Sequence, residues 1–316
     1  MANIDNGLAL VFPGQGSQSV GMLAELAVEH PEVEQTFRAA SDVLGYDLWR
    51  LASGGPGEQL NLTEHTQPAM LAAGVAAFRI WSKVSGATPA WMAGHSLGEY
   101  SALVCAGAIR FEDAVGLVAE RARLMQAAVS PGVGAMAAIL GLDDSKVVGV
   151  CAAVSTAGDI VTPANFNAPG QIVIAGHSTA VARAVEAAKA EGAKKAVLLP
   201  VSVPSHCPLM ADAAERFREA LAKVAIHEFS VPVIHNVDVA SHTAAEVVRS
   251  VLASQLHSPV RWSDSVRFLY DQGVRHFVEC GPGKVLAGLN KRIVKDARTD
   301  AVFSPDSLNK ALELAQ

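Results

Sequence analysis

Aromatic residues make up only 5% of this 316-residue chain and charged residues only 18%, although half of all residues are hydrophobic. So little charge on so apolar a chain excludes a disordered or charge-dominated protein. The scarcity of aromatics leaves Ala, Val and Leu as the apolar mass, as expected of helices packed on aliphatic strands. Basic residues are outnumbered, 25 Lys and Arg against 31 Asp and Glu, and no block of one sign stands out, so nucleic acid is not an expected partner. The four cysteines, Cys105, Cys151, Cys207 and Cys280, lie far apart without a C-x-x-C pair, which fits a reduced cytoplasmic setting better than a disulfide scaffold. The start of the chain, with Asn3, Asp5 and Asn6, lacks the basic region of a signal peptide. The longest apolar stretch, Ala69 to Phe78, falls short of the ~18 residues a membrane span requires, so a soluble protein is expected.

What is present reads as α/β. Leu8 to Phe12 is a continuous apolar run ended by Pro13-Gly14, the pattern of a strand buried on both faces and closed by a turn. Helical segments follow near residues 20–50 and 67–84, and Pro89 to Gly94 then repeats strand, turn and helix from Leu97 to about Cys105. Arg275 to Glu279 with Cys280-Gly-Pro-Gly283 supplies a further strand and turn. Strands alternating with helices imply a mostly parallel sheet with helices on both faces. Between Gly134 and Val201 the order changes to strand 135–141, helix 144–154, strands 159–165 and 171–175, helix 178–191 and strand 194–200. That βαββαβ order is ferredoxin-like. The expected division is a large subdomain over 1–131 and 202–316 with an inserted small one over 132–201.

Gly94-His-Ser-Leu-Gly98 matches G-x-S-x-G between a predicted strand and a predicted helix. On so tight a turn Ser96 is pushed out of the backbone curve, and the Leu97 N–H points where an oxyanion would form. Among ten histidines His206 is the first candidate base, because Pro204 and Pro208 stiffen its loop; His95, adjacent to the serine, is the weaker one. No motif marks a third, acidic member, and Asp212, Asp238 and Asp264 stay open. Arg121, on a predicted helix over 112–128, has Leu117, Val118, Leu124 and Met125 at i−4, i−3, i+3 and i+4. A guanidinium among aliphatics calls for an anion from elsewhere, and its planar fork suits a carboxylate. The glycine loop Phe12 to Gln18 fails the dinucleotide fingerprint at Ser19, which leaves it as a source of a second oxyanion donor.

Together these segments resemble the malonyl-CoA:acyl-carrier-protein transacylases of fatty-acid synthesis, relatives of the acyltransferase domains of polyketide synthases. The likeness rests on Val11-Phe-Pro-Gly-Gln-Gly-Ser-Gln18, Thr66-Gln-Pro-Ala69, Gly94 through Gly107, Arg121, Asn165-Phe-Asn-Ala-Pro-Gly-Gln171, Val203-Pro-Ser-His206, Asn236-Val-Asp238, Gln255-Leu-His-Ser-Pro-Val260 and Glu279-Cys-Gly-Pro-Gly283. It implies an α/β-hydrolase-like large subdomain and an inserted ferredoxin-like one. It implies an acyltransferase that moves malonyl from malonyl-CoA to the phosphopantetheine thiol of acyl carrier protein through a malonyl-Ser96 ester. Carried over by position, His206 is general base and acid, the backbone N–H groups of Gln15 and Leu97 form the oxyanion hole, and Arg121 binds the malonyl carboxylate. The main-chain carbonyl of Gln255 orients the histidine in place of an aspartate, and His95 and Asn165 fall near the cleft. No metal and no permanently bound cofactor is implied, and a monomer is expected. Carrier proteins of this pathway are acidic, so Lys284, Lys291, Arg292 and Lys295, above all Lys291 and Arg292, form the expected docking patch. The competing reading is a serine hydrolase of small esters or thioesters.

Overall fold

The computed structural model describes residues 3–201 and 203–313. Its strands, in chain order, are β1 (Asn3–Phe12), β2 (Ala87–Gly94), β3 (Gly134–Leu140), β4 (Val161–Ala168), β5 (Gln171–His177), β6 (Lys195–Leu198), β7 (Val233–Ile234), β8 (His276–Cys280) and β9 (Arg298–Val302). Five form a sheet in the order β7-β2-β1-β8-β9 with every pairing parallel. Leu8 to Phe12 are fully buried because β1 sits in the middle of that sheet, which explains a run with no polar alternation. The chain leaves β1 towards β2 on one side and returns to β8 on the other. The loops that follow these three neighbouring strands therefore meet at one end of the sheet, the usual place for a crevice.

The remaining strands form an antiparallel sheet in the order β4-β5-β3-β6. Counted within the βαββαβ unit this is 2-3-1-4, the ferredoxin-like arrangement. Alternation along β5 assigns its two faces. Ile172 and Ile174 pack with the helices Asp144–Val154 and Ser178–Ala190, whereas Val173 and Ala175 face the other way, with Met136 and Cys207. The architecture is thus the α/β-hydrolase-like sheet plus ferredoxin-like unit that the sequence implies.

Local differences have local causes. The helical region near 20–50 is three helices, Ala24–Glu29, Glu32–Leu44 and Leu48–Gly54, broken at Pro31 and at Gly45, whose φ of +77° closes the second helix. After His206 the chain makes a single 3₁₀ turn, Pro208–Met210, that runs into the helix Ala211–Leu221. The helix Thr63–Ser85 is buried on all sides through most of its length, which is why its apolar residues show little periodicity. No described helix is long and apolar enough to cross a membrane.

A fully buried carboxyl sits in the sheet itself. Glu279 on β8 is fully buried; its Oε2 accepts from the Ala287 N–H at 2.8 Å, at the start of the helix Val285–Ile293. Burial pushes this carboxyl up to about 7, against the pull of backbone N–H groups at that helix end. A carboxyl with a folded pKa of about 7 and an unfolded one of 4.5 stabilises the fold below pH 4.5 and loses that contribution as pH rises through 7. The wild-type protein should therefore lose roughly 2 kcal/mol relative to Glu279→Gln between pH 5 and pH 8, measured by urea unfolding at both pH values. A difference independent of pH would show that Glu279 is ionised throughout.

Candidate active site

β2 ends at Gly94, the helix Gly98–Cys105 begins four residues later, and Ser96 lies between them with a φ of +51°. That left-handed conformation is rare for a residue with a side chain and is held by contacts on every side. A Cβ on Gly94 would stand 1.9 Å from the Gly98 carbonyl carbon, and one on Gly98 would stand 2.0 Å from the Phe12 carbonyl oxygen. Only glycine fits at either position. A Cβ on Gly14 would likewise lie 2.4 Å from the His95 carbonyl oxygen, so the loop after β1 is pressed against the serine turn. Asn236, just after β7, clasps this turn. Its Oδ1 accepts from the Ser96 N–H at 2.7 Å and its Nδ2 donates to the Gly94 carbonyl at 2.7 Å. The Gln15 and Leu97 N–H groups donate to no acceptor among the described residues, so both remain available to a bound oxygen.

Ser96 Oγ lies 2.7 Å from His206 Nε2, and His206 Nδ1 lies 2.7 Å from the Gln255 carbonyl oxygen. A carbonyl only accepts, so Nδ1 carries the ring proton and Nε2 presents its lone pair to the serine hydroxyl. His206 itself has a φ of +63°, and its N–H donates to the Leu256 carbonyl at 2.9 Å. Of the open acids, Asp238 engages His242 and Asp264 engages Arg261; among the described residues no carboxylate bonds the His206 ring. Burial, and then the neighbouring Arg121 charge, hold the imidazole down to about 3.

Arg121, on the helix Phe111–Ala127, is 1% exposed and touches no carboxylate among the described residues. Nη1 donates to Gln67 Oε1 at 2.9 Å, and Nη2 donates to Gln255 Oε1 at 3.0 Å and to Ser96 Oγ at 3.2 Å. The guanidinium also lies over the Tyr100 ring, 5.4 Å from its centroid. Its buried Nε–H has no partner among the described residues. A cation held by neutral acceptors, with a donor to spare, is set to take up an anion. Its burial lowers its pKa from the usual arginine value.

A cavity of about 240 Å³ joins these groups, floored by Ser96, His206 and Arg121 and walled by Met136 and Val173 of the small sheet. The glycine loop and Leu286 and Leu289 of the helix Val285–Ile293 complete its rim. His95 and Asn165 also line it, but the His95 ring bonds Asn167 at 2.8 Å and packs near Trp262, and burial lowers its pKa. Lys284, Lys291, Arg292 and Lys295 are exposed, although Arg292 is tied to Gln171 and the Pro169 carbonyl at the β4–β5 turn. Gln67, Glu99, Asn167 and Asn236 were not marked as site residues by the sequence. No group of three or more His, Cys, Asp or Glu side chains that could hold a metal occurs among the described residues.

The acyl transferase domain family model matches residues 9–305. The malonyl CoA-acyl carrier protein transacylase of Escherichia coli strain K12 is 55% identical over 306 residues, 97% of this chain and 99% of the relative. That of Bacillus subtilis strain 168 is 45% identical, over 97% of this chain and 96% of the relative. A malonyl-transacylase solved in complex with its type II PKS acyl-carrier protein superposes with a TM-score of 0.95 at 54% identity, covering 97% of this chain and 99% of that one. The Coxiella burnetii transacylase structure also gives 0.95, at 50% identity and 97% of both chains.

The imidazole environment has a direct test in the reactivity of Ser96. An ordinary histidine base with a pKa near 6.5 would lose about 30-fold of its free-base form between pH 8 and pH 5. With the ring held down to about 3, labelling of Ser96 by a serine-directed phosphonofluoridate should stay level across that range. An inflection near pH 6.5 would contradict it.

Proposed function

The chain belongs to the acyl transferase domain family and is an acyltransferase, and on that premise we propose that it moves a malonyl group from malonyl-CoA to the phosphopantetheine thiol of acyl carrier protein. One observation carries the choice of substrate. Ser96 Oγ lies 2.7 Å from a base and 3.2 Å from a buried guanidinium, within one small cavity. A nucleophile so close to a cation suits an acyl group whose carboxylate follows its carbonyl after a single carbon, as in malonyl, where the two carbons are about 2.5 Å apart.

In this reading His206 Nε2 takes the Ser96 proton as Oγ attacks the thioester carbonyl, and the N–H groups of Gln15 and Leu97 receive the oxyanion. Collapse breaks the C–S bond, and the proton on His206 passes to the departing CoA thiolate. The malonyl-Ser96 ester remains, its carboxylate held by Arg121 in place of the serine hydroxyl. The carrier-protein thiol then gives its proton to His206 and attacks the ester, the C–O bond breaks, and Ser96 recovers its proton, completing a ping-pong cycle. Gln255 supports both halves, through its carbonyl on His206 and its side chain on Arg121. His95 and Asn165 line the acyl pocket, and the His95 side chain is engaged by Asn167. We take residues 132–201 as an inserted subdomain that walls this pocket, with 1–131 and 202–316 as the catalytic subdomain. The four free thiols agree with a cytoplasmic setting. An acetyl group would leave the guanidinium without its anion, at a cost of about 3 kcal/mol or more in a dry site.

Intact-protein mass spectrometry after incubation with malonyl-CoA should show one malonyl adduct that is absent in Ser96→Ala. Release of free malonate without a thiol acceptor, at a rate matching loading, would favour a hydrolase instead. Arg121→Ala should slow malonyl loading about 100-fold or more while leaving acetyl loading within a few-fold. Docking of the acidic carrier protein is assigned to Lys291 and Arg292. Lys291→Glu should raise the KM for carrier protein without changing malonyl loading from CoA, and an unchanged KM would remove the assignment. Arg292→Glu should add a stability loss, because Arg292 also holds the β4–β5 turn.

A further inference from the structure

Glu99 lies one turn beyond Ser96 in the helix Gly98–Cys105 and is 1% exposed. A carboxylate at that depth needs donors around it. It has three: His235 Nδ1 at 2.7 Å, the Asn236 N–H at 3.0 Å and Gln255 Nε2 at 2.7 Å. The third bond reaches the reaction centre. The Gln255 amide nitrogen donates to Glu99 and, at 3.1 Å, to the Ser96 carbonyl, while the amide oxygen accepts from Arg121. A guanidinium can only donate, and carboxylates and carbonyls can only accept, so one orientation of this amide satisfies both sides. Glu99 and the Ser96 carbonyl on one side and Arg121 on the other select the same orientation, and Glu99 makes the shortest of the three bonds that hold it. The main chain of the same glutamine holds His206 through its carbonyl. Among the described residues no carboxylate touches Arg121, and the Glu99 carboxylate stands one amide away from it.

We propose that Glu99 is a positioning residue for the selection of a carboxylate-bearing acyl group, acting through Gln255 on the guanidinium of Arg121. The proposal rests on the reading of this site as a malonyl transferase. With Glu99→Gln an amide with one acceptor atom stands where two carboxylate oxygens served three donors, so the bond that anchors Gln255 Nε2 is weakened and the amide oxygen is held less firmly against Arg121. A general loss of packing would slow every acyl group alike. Misorientation of the cation acts on the carboxylate-bearing one.

The test compares loading of the full-length enzyme from malonyl-CoA and from acetyl-CoA in wild type, Glu99→Gln, Glu99→Asp, Gln255→Met and the Glu99→Gln/Gln255→Met double variant, with a melting temperature for each. In Glu99→Gln the malonyl-to-acetyl ratio of kcat/KM should fall roughly tenfold, with the KM for malonyl-CoA rising more than kcat falls. Glu99→Asp should recover part of the ratio. Gln255→Met, which keeps the carbonyl for His206, should reproduce the loss, and the double variant should be no worse than either single one. A ratio in Glu99→Gln within twofold of wild type overturns the proposal, as do independent, multiplying effects of the two substitutions. Should Glu99→Gln fail to fold, Gln255→Met decides, and an unchanged ratio there overturns it. Wild type loading acetyl as readily as malonyl would instead overturn the reading of the site, so the two failures are distinguishable.

Discussion

A buried positive charge with no carboxylate in contact among the described residues is the constraint around which this site is built. Arg121 is held by Gln67, Gln255 and the Ser96 hydroxyl, each a neutral acceptor. Neutral acceptors satisfy the donors without cancelling the charge. A direct ion pair would have cancelled that charge within the pocket. The three acceptors come from the helix Thr63–Ser85, from the end of the helix Ala245–Ser254, and from the turn after β2. The large sheet and its helices can be seen as the frame that brings these segments to one point. The mostly buried helix Thr63–Ser85 carries Gln67 to the centre, where solvent does not compete for its amide.

The second constraint is backbone strain at the groups that meet. Ser96 and His206 both have left-handed backbone conformations, and each is held by bonds from segments far away in sequence. Asn236 clasps the serine turn and Leu256 holds the histidine, so the 2.7 Å contact between the two side chains is set before any substrate arrives. The glycines at 14, 94 and 98 serve the same end, because they let backbone approach backbone to distances that no side chain allows.

What the sequence made legible is what local chemistry determines. The serine turn announces itself because crowding dictates glycine at both flanks, and Arg121 because its helical neighbours are all aliphatic. The small sheet was readable from its order of elements, since the turn residues Pro169 and Gly170 fall between two strands. The unmarked residues owe their roles to contacts across long separations: 54 residues between Arg121 and Gln67, and 140 between Ser96 and Asn236. A glutamine or asparagine gives no sign in sequence that it will be buried. Glu99 is different. Its i+3 and i+4 neighbours are Ala102 and Leu103, so half of the pattern that singled out Arg121 is present, while Ser96 and His95 at i−3 and i−4 mask the rest. The short β7, two residues long, and the polar-starting edge strand β9 lacked the apolar runs that mark central strands.

The two faces of the ferredoxin-like sheet have different obligations. Ile172 and Ile174 answer to the packing of its own helices, whereas Met136 and Val173 border the cavity. Because side chains alternate along a strand, a change at a cavity-facing position leaves the helix-facing core intact. It also leaves untouched the serine turn, which belongs to the other sheet. The pocket wall and the serine turn thereby lie in separable stretches of the chain, while the contact of that same sheet face with Cys207, beside His206, limits which changes can resize the pocket and still leave the Ser96–His206 pair in place.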